Sequence, residues 1–420
     1  MKVLLLNTFD QLAGADRAAR RLYSGLRRIG VEARLLVHFK RGVDPEILCF
    51  TSPWRTLLRR LKLYLGLLPV RLYPRRPENN FTLALLPDRL PRRVAGLAPD
   101  LIHLHWLGAG FCRIESLARF DRPLLWSLHD SWPFTGGCHV PGDCTRFRES
   151  CGACPVLGSS RDRDLSRWTW RRKERTWRNL PLTLVAPSRW MAERARASSL
   201  FRHRRIEVIP NGIDTEIFRP MDKREARKRL GLPRERPVIL FGAVNALDDP
   251  NKGWALLRPA LELVGKVRPE ALAVVFGADA PVEPPTCGLE TIYLGRLEDD
   301  GALIAAYGAA EVFVAPSLQE SFCQTVLEAM ACGTPTVAFR ATGPLDLIEH
   351  GHSGYLAAPY EVADLADGLL WVLADERRRA GLSGRARAKA VDEFALEAVA
   401  SRYAQLYREL LEDSTAGENP

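Results

Sequence analysis

No stretch of this chain approaches the roughly 18 consecutive apolar residues that a membrane-crossing helix needs, so an integral membrane protein is not expected. The start, MKVLLLNTFDQ, offers four apolar residues before Asn7 and no small-residue cleavage site. That is too little for a secretory leader, and the expectation is a cytoplasmic protein. Any bias toward disorder or fibre is also missing, with 46% hydrophobic and 26% charged residues and no evident internal repeat. The nine cysteines are an odd number in a long chain without an export signal, and they read as thiols or metal ligands rather than a disulfide framework. Negative charge is scarce in one half only. Residues 1–200 carry 35 Lys and Arg against 17 Asp and Glu, a balance of +18, while residues 201–420 carry 25 against 33, a balance of −8. Such asymmetry suggests that the first half faces something anionic, either a nucleic acid or an acidic membrane surface.

What is present is a repeated alternation of strands and helices. At 420 residues the chain exceeds one compact core and suits two domains of about 200 residues each. KVLLL, a helical spacing over residues 15–29 with Gly30 as a stop, and VEARLLVH make a β-α-β unit at the N-terminus. DLIHLHW, PLLWSLH and LTLVAPS follow as apolar runs of parallel-strand type. PVILFG, ALAVVFG, TIYLG, EVFVAPS and TPTVAFR repeat the pattern in the second half. The predicted fold is α/β, with doubly wound domains over 1–200 and 201–395 and a C-terminal helix and tail over 396–420 that packs back on the first. The seam is expected near residues 187–215, where VIPNGIDTEIFRP carries prolines and an Asn-Gly turn signal. Ligands of such sheets bind beyond the C-terminal strand ends.

At one such end, LQESFCQTVLEAMACGTP (318–335) holds Glu320 and Glu328 with seven residues between them. A helix beginning near Ser321 or Phe322 would offer backbone N–H groups to an anion, with Glu328 about six residues in, roughly 9 Å along at 1.5 Å per residue. A nucleotide diphosphate could rest there, one carboxylate reaching the sugar and the other the ribose. Spacing alone favours the plainer reading, a solvated acid on either side of a core helix.

The neighbouring segments bear on that choice. AGADRAARRLYSGL, PDLIHLHW, LHD, VAPS, VIPNGID, NKGWALL, YLGRL, VAPSLQESFCQTVLEAMACGTPTVA and HGHSGYLAAP occur in the order found in glycosyltransferases of family 4, which the chain resembles along nearly its whole length. The resemblance implies the GT-B fold, two facing Rossmann-like domains with an interdomain cleft, and a retaining transfer from a nucleotide-diphosphate sugar of the kind used in bacterial polysaccharide biosynthesis. It implies that Glu320 contacts the donor sugar and Glu328 the ribose. Lys252 would neutralise the leaving diphosphate, in a pocket that Gly242 also lines, as transition-state charge stabilisation requires. Gly14 would let backbone approach the donor phosphates, Ser321 and Phe322 belong to the donor-binding turn, and His129 would lie near the sugar's outer hydroxyls. A lone histidine is as readily a satisfied core residue. Two departures from the family pattern stand out: FGAVNALDDPNKG has no arginine, and ATGPLDL places Thr342, Gly343 and Asp346 where paired glycines and a glutamate are usual.

Three further features lie outside that pattern. GGCHVPGDCTRFRESCGACP contains Cys138, Cys144, Cys151 and Cys154, whose soft ligands could close a tetrahedral structural Zn²⁺ site, or remain packed thiols, or form a redox bridge. Asp162 and Asp164 in RDRD are expected to be a solvated charge run. In SPWRTLLRRLKLYLGLLPVRLYPRR, the residues Trp54, Leu57, Leu58, Leu61, Tyr64, Leu65 and Leu68 recur at helical spacing beside Arg55, Arg59, Arg60 and Lys62. This fits a helix at a membrane interface or one packed with a basic outer face. The expected partners are a nucleotide-diphosphate sugar, a glycan or lipid-diphosphate-linked acceptor and the anionic inner face of the cell membrane, with no nucleic acid and no cofactor in catalysis. A nucleotide-sugar epimerase of the same fold and a zinc-stabilised nucleic-acid-binding protein are the rival readings.

Overall fold

A computed structural model describes residues 1–50, 64–76, 81–283, 285–297 and 299–416. The chain divides into two units, Met1–Pro210 with Val399–Pro420, and Asn211–Ala398.

The first unit contains strands β1 (Lys2–Phe9), β2 (Glu32–Phe39), β3 (Leu48–Cys49), β4 (Leu101–Leu104), β5 (Leu124–Ser127), β6 (Leu182–Ala186) and β7 (Ile206–Val208), in the sheet order β3-β2-β1-β4-β5-β6-β7. The second contains β8 (Val238–Gly242), β9 (Leu272–Phe276), β10 (Glu290–Tyr293), β11 (Val312–Ala315), β12 (Thr336–Phe339) and β13 (Gly354–Ala357), in the order β10-β9-β8-β11-β12-β13. All pairings are parallel. Parallel strands need crossover connections and are covered on both faces, which is why the central ones read as unbroken apolar runs. β4, β5, β6, β8, β9, β11 and β12 are buried along their whole length. Each Leu or Val so placed contributes about 1.5–3 kcal/mol of burial. In both sheets the strand order reverses once, between β1 and β4 in the first and between β8 and β11 in the second. Loops diverge above such a reversal and leave a crevice.

The boundary expected at 200/201 lies about ten residues later, because β7 pairs with β6 and draws the chain through Pro210 into the first unit. The helix Leu396–Ala416 buries Val399, Tyr403, Leu406 and Tyr407 in one cluster with Leu5, Tyr23 and Leu35 of that unit. Residues 64–71 are helical, and Tyr64, Leu65 and Leu68 are 51%, 41% and 40% exposed. The rest of that expected stripe, Trp54, Leu57, Leu58 and Leu61 with the basic residues Arg55, Arg59, Arg60 and Lys62, lies outside the described residues. Among the described residues no helix is long and apolar enough to cross a membrane.

Candidate functional site

In the second unit, the loops that leave β8 and β11 at the reversal carry Lys252 and Glu320. They are fastened to each other by the Asn251 side chain and backbone. Asn251 donates from Nδ2 to the Gln319 carbonyl at 2.7 Å and accepts from the Gln319 N–H at Oδ1, 3.1 Å, while the Leu318 N–H donates to the Asn251 carbonyl at 2.8 Å. Gly253 follows at φ +76°, and a Cβ there would stand 1.9 Å from the Pro316 carbonyl oxygen, so only glycine lets the loops lie this close. The zipper leaves Lys252 Nζ 2.8 Å from Glu320 Oε1, both side chains mostly shielded. Burial pulls the Lys252 pKa down, but the Glu320 carboxylate more than offsets it and the net shift is upward. From the other side the Glu320 N–H donates to Thr342 Oγ1 at 3.1 Å and its carbonyl accepts from the Gly343 N–H at 2.9 Å. Thr342, which departs from the family pattern, and Gly343, which keeps it, therefore hold the Glu320 backbone in place.

The remaining expected donor residues are placed differently. The helix begins at Gln324, not near Ser321 or Phe322, because the chain turns through φ +81° at Cys323. Glu328 is consequently the fifth residue of the helix. Its side chain is buried, with Oε2 accepting from the Tyr307 hydroxyl at 3.0 Å. The Phe322 ring packs in the core edge-on to Phe394, which leaves only its backbone to serve a ligand, while Ser321 stays partly exposed in the bend. Gly242 ends β8, and a Cβ on it would meet Phe276 ring atoms from 2.2 Å, so packing against that ring is sufficient reason for the glycine.

In the first unit, Gly14 is the exposed first residue of the helix Gly14–Arg28. Asp16, which sequence reasoning passed over, is buried beneath this turn, accepting from Asn7 Nδ2 at 2.7 Å and from the Ala13 N–H at 2.8 Å. Burial pushes its pKa up to about 6 despite those bonds. His129 follows β5, and its Nε2 is hydrogen-bonded to His105 Nδ1 at 2.9 Å. Burial pushes the His129 pKa down to about 4, which keeps the ring neutral. With Trp106, Asp130, Trp132 and His139 these two histidines line a cavity of about 10 Å³. Asp130 Oδ2 receives the Trp106 indole N–H at 2.7 Å and pairs with His139 Nδ1 at 2.6 Å, and the buried Nε2 of His105 has no partner among the described residues. Sequence reasoning found His129 alone, although Asp130 adjoins it in LHD and His105 and Trp106 lie in PDLIHLHW, because motif order does not show which side chains meet.

The four cysteines of 138–154 line a second cavity of about 10 Å³. Burial raises the pKa of Cys138, Cys151 and Cys154, the last two to about 12 and about 11. Among the described residues, no three Cys, His, Asp or Glu side chains already stand in a metal-holding arrangement. The pair in RDRD divides. Asp162 is exposed and bonded to Arg167, but Asp164 is not solvated: its Oδ1 caps the helix Leu165–Trp177 and its Oδ2 accepts from the Cys154 N–H at 2.8 Å.

Comparison with known proteins accounts for both units. Residues 13–217 match the model described as Glycosyltransferase Family 4, and residues 222–389 that of Glycosyl transferases group 1. A D-inositol 3-phosphate glycosyltransferase of Thermobispora bispora is 35% identical over 397 residues, 88% of this chain and 86% of the relative. One from Catenulispora acidiphila is also 35% identical, over half of this chain and 52% of its own length. Among solved structures, sucrose-phosphate synthase from Thermosynechococcus elongatus superposes with a TM-score of 0.70 at 19% identity, covering 98% of this chain and all of the other. Anabaena HepE in complex with UDP and glucose gives 0.67 at 20% identity over 97% of this chain and 99% of the other. The fold is therefore GT-B, and the long alignment to a curated relative shows that the chain belongs to the family 4, group 1 glycosyltransferases.

Proposed function

We infer that the protein is a retaining transferase that moves a sugar from a nucleotide-diphosphate donor to a glycan or lipid-linked acceptor in surface polysaccharide biosynthesis. The observation that carries this reading is the Lys252–Glu320 pair, zipped onto the two loops above the strand-order reversal of the second unit. An incoming diphosphate competes with Glu320 for the ammonium. Lys252 then faces the charge that grows as the C1–O bond to phosphate breaks, and Glu320 is released to accept hydrogen bonds from sugar hydroxyls. The acceptor oxygen bonds to C1 on the face the phosphate leaves, its proton passes to the departing phosphate, and neither a protein nucleophile nor a cofactor takes part. Glu328 serves the ribose, and Gly14 and His129 keep the donor-binding roles that the family resemblance implies. HepE, bound to UDP and glucose, supports a uridine donor, and the relatives' name supports a phosphorylated acceptor. The +18 balance of residues 1–200 and the exposed Tyr64, Leu65 and Leu68 support contact with an anionic membrane at the cytoplasmic face.

Thermal-shift titration with UDP-glucose and other nucleotide sugars tests the donor. A ligand at 100 times its Kd stabilises the folded state by about 2.7 kcal/mol, and that shift should vanish in Lys252→Ala. Absence of a shift with every nucleotide sugar would overturn the donor assignment. NMR of the product gives the anomeric configuration, and release of an altered sugar nucleotide without acceptor would favour an epimerase instead.

A further inference from the structure

The four-cysteine segment is built more elaborately than packed thiols require. Cys151, Gly152 and Ala153 take φ of +54°, +103° and +42° in succession, a left-handed run that strains each non-glycine residue. Every peptide N–H in that turn is held: Cys151 to the Arg146 carbonyl, Gly152 to Ser166 Oγ, Ala153 to the Arg161 carbonyl and Cys154 to Asp164 Oδ2. The Gly136 N–H donates to Cys151 Sγ at 3.1 Å, a bond that favours a charged sulfur. Cationic groups lie around the cavity: Arg146 lines it, Arg167 is paired with Asp162, and Lys173 has no carboxylate among its hydrogen bonds. Lys173 is fully buried, with hydrogen bonds that go to the Trp132 and Thr135 carbonyls, and Thr135 lines the cavity. Arg167 lies against Gly152, Arg194 lies over the Phe147 ring, and the buried Nε of each has no partner among the described residues. A buried cation held by carbonyls alone is costly, so Lys173 favours negative charge in the neighbouring cavity.

We propose that Cys138, Cys144, Cys151 and Cys154 bind one Zn²⁺ as a closed tetrathiolate, and that this centre braces the wall of the neighbouring cavity lined by Asp130, Trp132 and His139. Binding involves no redox change: one Zn²⁺ replaces four thiol protons, which leave to solvent, and the complex carries a net charge of −2 beside the buried Lys173 and the lining Arg146. Because the sulfurs are not yet gathered in metal-holding geometry, the ion draws them inward into a space of about 10 Å³, about one water-sized sphere. The brace is covalent and short. Cys138 precedes His139, which holds Asp130, and Thr135 donates from Oγ1 to the Cys138 carbonyl while its own carbonyl takes the Lys173 ammonium.

Elemental analysis of the purified full-length chain should find one zinc per molecule, and cobalt replacement should give the intense sulfur-to-metal absorption and d–d bands of a tetrahedral thiolate site. Cys144→Ser and Cys151→Ser should each bring zinc well below stoichiometric. If either fails to fold, the metal content and cobalt spectrum of the unaltered chain decide alone. Chelation should speed hydrogen exchange in residues 130–154 and leave residues 211–398 unchanged. A metal-free protein whose four thiols all react with a thiol reagent, or mass spectra showing disulfides among them, would overturn the site. Unchanged exchange in residues 130–139 after zinc removal would overturn the brace. None of these readouts depends on transfer activity.

Discussion

The two units share one topology and equip it in opposite ways. Above the reversal in the second sheet stands a charged pair, Lys252 and Glu320, on loops held by glycine and backbone bonds. In the first, the loop after β4 at the reversal and the loop after the next strand, β5, hold neutral imidazoles, His105 and His129, with indoles and one carboxylate, Asp130. The difference teaches that the switch point supplies a place while the loops supply the chemistry. A fixed cation suits a diphosphate, whereas aromatic faces beside single donors and acceptors suit a neutral, hydroxyl-rich molecule.

The largest expected effect breaks the charged side. Lys252→Ala and Glu320→Ala should each lower transfer by about 10²–10³-fold or more, with a near-native melting curve. Full activity in both would remove the pair from the mechanism. Gly253→Ala attacks the same pair indirectly, since its Cβ would collide with the Pro316 carbonyl and φ is +76°. A loss of about 1–3 kcal/mol in denaturant melts, with weaker donor binding, is expected.

Acid separates the units next. Burial pulls the pKa of His103, His105 and His129 downward, His129 to about 4, so the unfolded chain binds the extra protons below the ordinary imidazole value of about 6.5. Stability should fall as pH drops from about 6.5 toward 4. Asp16, raised to about 6, works the other way in the same window, so the informative quantity is the difference between wild type and His129→Asn. The variant should show the shallower loss, and parallel curves would refute the buried-imidazole account. Lys252, shifted upward, keeps its contribution throughout this range and loses it only at high pH. The smallest effect is expected for Tyr307→Phe, which takes one donor from Glu328 and should cost about 1 kcal/mol in stability.

Ten strands were legible, seven of them because fully buried parallel strands leave unbroken apolar runs, and β1, β2 and β10 because their sequences are short apolar runs of the same kind even where burial is incomplete. β3 and β7, at two and three residues, and β13, with Gly354 and a partly exposed Tyr355, leave too little pattern to read. Lys252 and Glu320 were named from motif order, and the structure brings them to 2.8 Å. The start of the helix at Gln324 was misplaced, since a left-handed cysteine has no sequence signature. Asp130, His139 and Lys173 were missed because burial, not spacing, distinguishes them from ordinary polar residues.

The return of Leu396–Ala416 to the first unit bears on the order in which the chain is completed. Residues 211–398 are contiguous and emerge together, so their core can close during synthesis. The half made first must wait: its buried His103 is hydrogen-bonded to Tyr407, and Ser127, which shares that imidazole, is bonded to Tyr403. On the ribosome, the N-terminal unit is therefore the last to acquire a finished interior.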